Sequence, residues 1–495
     1  MRIRTALFAI ACASLSMPAA FAAPSSWREP PLHGDDEAIV VSRHTVKTGK
    51  GLLGYEARAG RLALRNDETG EVRGYLYFTA YSVKPSGKAP RPVTFLWNGG
   101  PTTNSHLVHV EMFGPRRMTA AGMVDNAETL LTDSDLVFFD PVGTGFSRAR
   151  PGAEAELLST LGDFAATAEF VRAWRARFGA ERQPLFLGGE SYGTWRVNGT
   201  TELLEKRGIR VNGAILISGG VPGSLMPPEF QDAMYIQART AAAFAFGRLE
   251  PDLMRDRAAT LAAVDRWAAE TYMPALARIA SLTAGEREAI AVQLARYTGV
   301  RADQIDRQTL VMNNNAFKAG FFDGQKDKVL DTYDLRIAGP VPEAVPDRAR
   351  IFPAYLRDEL GYRSDLAYTG LEDGYMPLPG PERRSTGMRW SYNHVELTPE
   401  AIARMRGGGG PPLSQPWLQN GMRADPALKV FVAAGRYDSL NMCEGNVRMS
   451  AKLEPALAAR FTHRCYEGGH MMYRDQPTRL QMARDIADFI RAAAP

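Results

Sequence analysis

The sequence has little cysteine, little net charge and no long apolar run after its first residues. The 495-residue chain contains three cysteines and has a formal net charge of only +4. No basic run interleaved with aromatic residues occurs, so nucleic acid is not expected as a partner. No later apolar stretch is long enough to span a bilayer, so no membrane span is expected. With 45% hydrophobic and 23% charged residues, the composition is that of a globular protein and excludes disorder.

The N-terminus has the three parts of a secretory signal. Arg2 and Arg4 precede an apolar run over residues 6–15, which is followed by the small residues Ala20 and Ala22. This pattern predicts cleavage after residue 22 and export to the periplasm or the medium. The alternative, a membrane-spanning helix, is disfavoured because the apolar run is too short.

Strand patterns followed by alternating strand and helix patterns predict the core of the protein. Period-two patterning over residues 38–83 predicts antiparallel strands, with turns at Ala59-Gly60 and Thr69-Gly70. Later apolar runs end in glycine-rich loops and alternate with helical patterns. These runs cover residues 93–97, 135–140, 184–187, 213–218, 428–434 and 461–466. The alternation predicts an α/β fold with a mostly parallel sheet that presents a site at its carboxyl edge.

Two segments have apolar residues at helical spacing and are expected to cover this sheet. The first is residues 160–178, with Leu161, Phe164, Ala168, Val171 and Trp174 on one stripe. The second is the C-terminal segment, residues 477–492, which predicts a closing helix.

The strand and helix alternation stops between residues 221 and 425. Helical patterns separated by loops rich in proline and glycine predict a large, mainly helical insertion, or lid, in this region. The insertion divides the core into residues 23–220 and residues 426–495. The tract at 406–412 is too poor in side chains to pack, so a mobile loop is expected there.

A Gly-x-Ser-x-Gly motif at residues 189–193 follows one of the buried strands and precedes a helical pattern. Ser191 would therefore lie on a sharp turn between strand and helix, which is the position of a nucleophile in a nucleophile elbow. The alternative is a structural serine in a glycine-rich loop. The motif alone does not decide, because the chain has 46 glycines.

A nucleophilic serine needs a base, and the base needs a group that orients it. Among the seven histidines, only His470 follows a strand behind a Gly-Gly turn, and Asp438 follows the strand before it. Alone, each would more simply be a solvated histidine or a turn cap. Because Ser191, Asp438 and His470 come in the chain order of an α/β-hydrolase triad, they are predicted to be catalytic. The amides of Gly100 and Tyr192 are predicted to form the oxyanion hole.

Several short motifs around these residues together resemble the secreted serine carboxypeptidase family, over most of the chain outside the insertion. No single motif is specific, but the set is. The matching segments are residues 97–101, 113–115, 138–147, 189–193, 435–446 and 468–471. The resemblance, to a divergent and bacterial-type member, implies an α/β-hydrolase fold. It also implies release of C-terminal residues from peptides with a free C-terminus, and no cofactor is expected.

In this family, the glutamate before the catalytic serine and the asparagine of the Asn-Gly-Gly loop bind the terminal carboxylate of the substrate. The resemblance gives these roles to Glu190 and Asn98, with help from the Gly99 amide. It also implies that Tyr192 and Met471 border side-chain pockets. Since a carboxyl group can donate a hydrogen bond only when protonated, this implies a preference for acidic pH. The alternative for Glu190 is a charge that stabilises the N-terminus of a helix.

The chain also departs from the family pattern. Residues 102–105 are Thr-Thr-Asn-Ser where the family usually has Gly-Cys-Ser-Ser, and Trp97 directly precedes Asn98 instead of lying one residue earlier. Glu111 lies one residue further from its Gly-Pro than the second carboxylate-binding glutamate of the family. For this reason Glu111 is not predicted to be a site residue.

The disulfides of the family are missing, and Cys12 lies in the predicted signal. The exported chain therefore keeps Cys443 and Cys465, an even pair that can be bridged in an oxidising compartment. Cys443 follows Asp438 by five residues and Cys465 precedes His470 by five. A bridge between them would brace the loops of the predicted acid and base.

Two histidines have a spacing that could suit a metal site. His106 and His109 are three residues apart and could share a helix face, but no Cys, Asp or Glu completes a ligand set. We therefore expect packing roles for both histidines and no bound metal.

Two other functions fit the same residues. A fold and a triad do not determine the acyl group, so a secreted esterase or acyltransferase is the first alternative. The second is a non-catalytic binding protein with a hydrolase fold, which the complete triad disfavours.

Overall fold

A computed structural model describes most of the chain from residue 37 to residue 494. The gaps are residues 67, 86, 88, 220–225, 228, 324, 326–327, 340–346, 371–388, 396–397, 400–401 and 404–414. The predicted signal at residues 1–22 and the glycine-rich tract at 406–412 lie outside the described residues.

A sheet of ten strands forms the centre of the protein, in the spatial order β1-β2-β3-β7-β4-β9-β10-β11-β12, with β8 paired to β3. A separate hairpin is formed by β5 and β6. The strands are β1 Ile39–Thr48, β2 Gly51–Arg65, β3 Val72–Ser82, β4 Val93–Trp97, β5 Arg116–Thr119, β6 Gly122–Asp125, β7 Asp135–Phe139, β8 Arg148–Ala149, β9 Leu185–Glu190, β10 Gly213–Ile217, β11 Lys429–Gly435 and β12 Phe461–Tyr466.

The sheet is parallel from β7 to β12 and antiparallel at its N-terminal side. Strands β7, β4, β9, β10, β11 and β12 pair in parallel. Strands β1, β2 and β3 pair antiparallel, as β3 does with β7. Every residue of β4, β7, β9 and β10 is buried, as expected for parallel strands covered on both faces. The predicted α/β-hydrolase fold class is confirmed.

Helices cover the sheet and make up much of the described chain segment that connects β10 to β11. The α-helices are α1 Glu154–Leu157, α2 Thr160–Phe178, α3 Gly193–Lys206, α4 Phe230–Met234, α5 Ile236–Ala245, α6 Arg257–Trp267, α7 Met273–Ala277, α8 Ala284–Thr298, α9 Asn314–Gly320, α10 Arg348–Ala354, α11 Trp417–Ala424, α12 Cys443–Ser450, α13 Pro455–Ala458 and α14 Gln476–Ala493. Three π-helices span Leu107–Phe113, Ala268–Tyr272 and Tyr355–Glu359. No helix in the described ranges is both long and apolar enough to cross a membrane.

Alternate residues of the strands enter two hydrophobic cores on opposite faces of the sheet. In β4, Phe95 belongs to one core and Leu96 to the other. Helix α2 covers the first face, where Trp174 packs edge-on against Phe95 with ring centroids 5.3 Å apart. Helix α14 covers the second face, where Phe489 packs against Phe431. The period-two pattern of the strands therefore determines which helix each side chain contacts.

Two local predictions are wrong. Ala59 and Gly60 do not form a turn but lie inside β2, which pairs with β1 on one side and β3 on the other. A Cβ atom on Gly60 would lie 2.8 Å from the carbonyl oxygen of Ala38, so a glycine permits the close approach of β1. Leu161, predicted to cover the sheet, is 44% exposed, although Phe164 and Val171 of the same predicted stripe in α2 are buried.

The segment between β10 and β11 contributes no strand to the main sheet in the part that the structure describes. Its helices α4 to α11 lie in the same compact unit as the sheet, since Asp35–Pro495 forms a single unit. The division into two core parts and an insertion at residues 221–425 stays a prediction.

A disulfide joins Cys443, at the start of α12, to Cys465 in β12. The two Cα atoms are 5.5 Å apart and the residues are 22 positions apart in the chain. Asp438 lies between β11 and α12, and His470 follows β12. The bridge therefore joins the two segments that carry these residues.

We predict that the variant Cys443→Ala/Cys465→Ala loses about 2–4 kcal/mol of unfolding free energy, because its unfolded chain gains conformational freedom. Urea unfolding measures the difference. A reductant should destabilise the parent protein by a similar amount and leave the variant unchanged. A parent whose stability and alkylated mass are both insensitive to reduction would contradict the bridge.

Candidate active site

Ser191 lies on a strained turn between β9 and α3. Its φ angle is 58°, in the left-handed region that few non-glycine residues adopt. Its N–H donates to the carbonyl oxygen of Ile217 at 2.8 Å, and its own carbonyl accepts from the hydroxyl of Thr194 at 2.8 Å. This strained turn between strand and helix has the geometry of a nucleophile elbow.

The loop after β4 lies directly against this turn. A Cβ atom on Gly99 would lie 2.5 Å from the backbone nitrogen of Tyr192, so only glycine permits this approach. Within the turn, a Cβ atom on Gly189 would lie 2.1 Å from the carbonyl oxygen of Gly193. The structure therefore places the Asn-Gly-Gly loop and the backbone after Ser191 side by side.

Asp438 and His470 form a hydrogen-bonded pair. Nδ1 of His470 lies 2.7 Å from Oδ2 of Asp438, and both side chains are buried. In a neutral imidazole, donation from Nδ1 to the carboxylate leaves Nε2 as a proton acceptor. Burial works against the charged imidazolium, but the Asp438 carboxylate raises the pKa of His470 above its ordinary value. The pair can therefore hold a proton on His470.

Strand β10 connects the Asp438 and His470 pair to the Ser191 turn. Ser218, the residue after β10, donates its hydroxyl to the carbonyl oxygen of His470. The residue before it, Ile217, accepts from the Ser191 N–H. Ser191, Asp438 and His470 thus follow β9, β11 and β12 at one edge of the sheet.

Asn98 and Glu190 contact each other across the ends of β4 and β9. The Asn98 amide nitrogen donates to Oε2 of Glu190 at 3.1 Å. Its amide oxygen accepts from the N–H groups of Leu107 and Val108, at 3.1 and 3.2 Å. These backbone donors fix the orientation of the amide, so its nitrogen must point toward Glu190.

Glu190 is buried, and burial raises its pKa above the ordinary value. The positive charge that His470 can acquire and the hydrogen bond from Tyr473 both act in the opposite direction. The Tyr473 hydroxyl donates to Oε2 at 2.6 Å, the same oxygen that Asn98 uses. Because Oε2 is occupied as an acceptor twice, a proton on Glu190 would lie on Oε1. Tyr473 belongs to none of the sequence motifs described above, although it lies only three residues after His470.

A buried arginine, Arg196, holds the loop after β4. Its side chain is 0% exposed and donates to the carbonyl oxygens of Asn98 and Pro101, at 2.7 and 3.0 Å. Its Nε donates to Asp163 of α2 at 2.8 Å. Burial raises the pKa of Asp163 to about 6, against the effect of Arg196, so this carboxylate is ionised at neutral pH. From sequence alone, Arg196 is indistinguishable from a surface charge on α3.

Glu111 is also close to this site. It is 8% exposed and accepts from Arg348 and Arg474, at 2.9 and 2.8 Å. Burial would raise its pKa, but the two arginines together lower it below the ordinary value. Glu111 lies in the π-helix Leu107–Phe113. Because a π-helix closes each hydrogen bond one residue later than an α-helix, the one-residue offset from the family pattern does not exclude Glu111 from the site.

The other predicted site residues surround the same turn. Gly100 follows Gly99 with a φ of 104°, and Tyr192 follows Ser191 with its ring buried against Trp390, at 5.4 Å between centroids. Met471 is half-buried and directly follows His470. Their roles in an oxyanion hole or in side-chain pockets stay predictions.

His106 and His109, the two histidines considered for a metal, are buried and hydrogen-bonded to Asn104 and Tyr81. Burial lowers the pKa of each to about 3. In the ranges that the structure describes, no group of three His, Cys, Asp or Glu residues is arranged to hold a metal ion.

The family comparison covers the segment that contains the Ser191 turn. Residues 56–208 match the model of the serine carboxypeptidase family. The resemblance to this family is confirmed. The match supports a serine hydrolase of the carboxypeptidase type in general terms. A sequence search of the curated proteins finds no match.

Solved structures also align with this chain. Kex1Δp, a prohormone-processing carboxypeptidase from Saccharomyces cerevisiae, aligns with a TM-score of 0.54 and 16% identity over 88% of this chain and 91% of that chain. A haloalkane dehalogenase loop variant from Bradyrhizobium elkanii gives a TM-score of 0.37 and 13% identity over 92% of this chain and 98% of that chain. At 16% identity the first match shows the fold alone. The second match is too weak for any conclusion.

We predict that Arg196→Met and Asp163→Asn each destabilise the protein by about 3–5 kcal/mol, because each leaves the other partner buried without its counter-charge. The combined variant Arg196→Met/Asp163→Asn should lose less than the sum of the two single changes, since neither charge remains. Urea unfolding of all three variants measures this coupling. Losses in the double variant that equal the sum would show that the ion pair does not act as a unit.

Proposed function

We propose that the protein is a serine-type carboxypeptidase that releases C-terminal residues from peptides through an acyl-enzyme. The observation that carries this proposal is the contact between Glu190 and Asn98, directly beside Ser191. A general acyl hydrolase does not need a buried carboxyl group next to its nucleophile. A carboxypeptidase needs a group there that recognises the free carboxyl end of its substrate.

In the proposed reaction, His470 takes the proton of Ser191 while the serine oxygen attacks the carbonyl carbon of the last peptide bond. The amides of Gly100 and Tyr192 stabilise the negative oxygen that forms. When this intermediate collapses, the C–N bond breaks, His470 gives its proton to the leaving amine, and the acyl group stays on Ser191. Water, deprotonated by His470, then attacks the ester and restores the serine. Asp438 orients His470 in both halves of the reaction and stabilises its charged form.

Glu190 and Asn98 would bind the terminal carboxylate of the substrate. Protonated Glu190 donates from Oε1, while Asn98 and the Gly99 amide offer neutral donors. An ionised Glu190 would repel the substrate instead. The raised pKa of Glu190 supports this role, because burial extends its neutral form to higher pH than an exposed glutamate allows.

The insertion would form one wall of the site, as a lid over the core. Its Tyr333 lies beside His470, with ring centroids 5.5 Å apart, and the Tyr333 carbonyl oxygen accepts from the His470 N–H. Its Arg348 bonds Glu111. These contacts support an insertion that holds the base in position.

The protein would act in the periplasm or outside the cell. The disulfide between Cys443 and Cys465 supports an oxidising compartment, in agreement with the secretory pattern of residues 1–22.

We predict that Ser191→Ala lowers kcat by at least about a thousandfold on every substrate that the protein cleaves, because the nucleophile is lost. The substrates are a blocked dipeptide with a free C-terminus, its C-amidated form and a simple ester. Release of the C-terminal amino acid is followed by chromatography. Cleavage of the ester alone by the parent protein would favour an esterase or acyltransferase, and activity that survives in the alanine variant would exclude the triad.

We predict a bell-shaped pH profile of kcat/KM for the free-carboxyl peptide. The rate rises with pH as His470 loses its proton, and it falls again as Glu190 ionises and KM rises by up to about tenfold per pH unit. An ester without a carboxylate should show only the rising part.

The variant Glu190→Gln is neutral at every pH, so its profile should lack the falling part. Its rising part should stay at the same pH, because Glu190 is still protonated in that range and does not raise the pKa of His470. Matching pH profiles of KM in the parent and in this variant would exclude Glu190 from carboxylate binding.

A further inference from the structure

Glu111 and the two arginines that it binds form a charged cluster with no part in the substrate binding proposed so far. Glu111 accepts from Nε of Arg348 with Oε1 and from Nε of Arg474 with Oε2, at 2.9 and 2.8 Å. The arginines lower the pKa of Glu111, against the effect of burial, so it is ionised at neutral pH. One carboxylate cannot neutralise two guanidinium groups. The cluster of Glu111, Arg348 and Arg474 therefore carries a net positive charge.

This cluster is attached to both residues that would bind the terminal carboxylate. Arg474 directly follows Tyr473, whose hydroxyl donates to Glu190 at 2.6 Å. Glu111 lies in the π-helix Leu107–Phe113, whose first N–H groups donate to the amide oxygen of Asn98. The positive charge is thus held beside the Glu190 and Asn98 pair by short covalent and hydrogen-bonded connections.

Arg474 is the member of the cluster that a ligand can reach. Its side chain is 42% exposed, against 21% for Arg348 and 8% for Glu111. Its bond to Glu111 is made by Nε, and the planar guanidinium group presents further donors that suit a carboxylate. Arg474 and Glu190 also act on each other electrostatically, since the arginine lowers the pKa of Glu190 against the larger effect of burial.

The other titratable groups near the cluster do not cancel its charge. His106 lies close to Glu111 and both arginines, and burial lowers its pKa to about 3, so it is neutral. Its Nδ1 bonds the Asn104 side-chain oxygen, and its buried Nε2 has no hydrogen-bond partner among the residues that the structure describes.

We propose that Arg474, held by Glu111, binds the terminal carboxylate of the substrate together with Glu190 and Asn98, with Arg348 supplying the excess positive charge. This inference rests on the proposed function. With Glu190 protonated, the single positive charge of the cluster is opposite to that of a carboxylate. With Glu190 ionised, the cluster offsets the negative charge of Glu190, so binding of a free carboxyl end weakens less with rising pH than Glu190 alone would cause.

Ligand binding to the Ser191→Ala variant tests this, because it needs no turnover. The ligands are N-acetylphenylalanine, which has a free carboxylate, and its carboxamide, titrated by calorimetry at one acidic and one neutral pH. We expect Arg474→Gln in this background to weaken binding of the carboxylate about tenfold and to leave the carboxamide unchanged. Arg474→Lys keeps the charge and should retain part of the preference. Equal losses for both ligands, or no loss, would overturn the proposal.

Glu111→Gln separates a charge effect from a loss of structure. It removes the negative member of the cluster, so it should increase the preference for the carboxylate, opposite to Arg474→Gln. A cluster with a merely structural role would lose the preference in both variants, and that result would also overturn the proposal. Arg423→Gln, which breaks the exposed pair with Glu454, is the control, and thermal unfolding of each variant confirms that it is folded.

A failure of the proposed role of Arg474 can be distinguished from a failure of the proposed carboxypeptidase function. If the parent protein cleaves esters but not peptides, the carboxypeptidase activity is refuted, yet the titrations still report on Arg474. If the parent cleaves peptides and Arg474→Gln keeps the full preference for the carboxylate, only the role of Arg474 is refuted.

Discussion

The hydrogen bond between Asn98 and Glu190 connects the ends of β4 and β9, and the rest of the site is built around it. The side-chain oxygen and the backbone carbonyl oxygen of Asn98 are held as well, by backbone N–H groups of the following π-helix and by Arg196. Glu190 is held in turn by Tyr473, which follows His470. Because buried polar groups are costly when unpaired, these bonds specify a single arrangement. The Asn-Gly-Gly loop, the Ser191 turn and the histidine loop therefore form one network.

This arrangement places two groups with opposite needs in one buried site. In the proposed reaction, His470 must be neutral to accept a proton from Ser191, whereas Glu190 must be protonated to bind a carboxylate. The charge of each affects the other, since ionised Glu190 raises the pKa of His470 and charged His470 lowers that of Glu190. The protons of such a pair are lost in steps that belong to both groups. The pH range of activity is therefore a property of the pair and of the charges around it.

The sequence predicted the parts of this site that depend on local pattern and chain order. Ser191, Asp438 and His470 each follow a strand whose apolar run is visible, and the parallel sheet brings these ends together. The sequence did not predict the buried contacts that Arg196 and Tyr473 make with distant segments. Arg196 has the spacing of an ordinary helix charge, and its buried position depends on Asp163 of another helix. Leu161 showed the opposite error, since its place in an apolar stripe did not reveal that its side chain is exposed.

The buried carboxyl groups around the Ser191 turn differ in the charge of their hydrogen-bond partners. Asp163 faces Arg196, and Glu111 faces two arginines, so each has a cation at hydrogen-bond distance. The hydrogen bonds that Glu190 accepts come from neutral donors, an amide and a phenol. Burial raises the pKa of Glu190, and the positive charges of His470 and Arg474 oppose this effect through space. A proton on Glu190 therefore competes with no direct ion pair, which is what the proposed binding of a carboxylate requires.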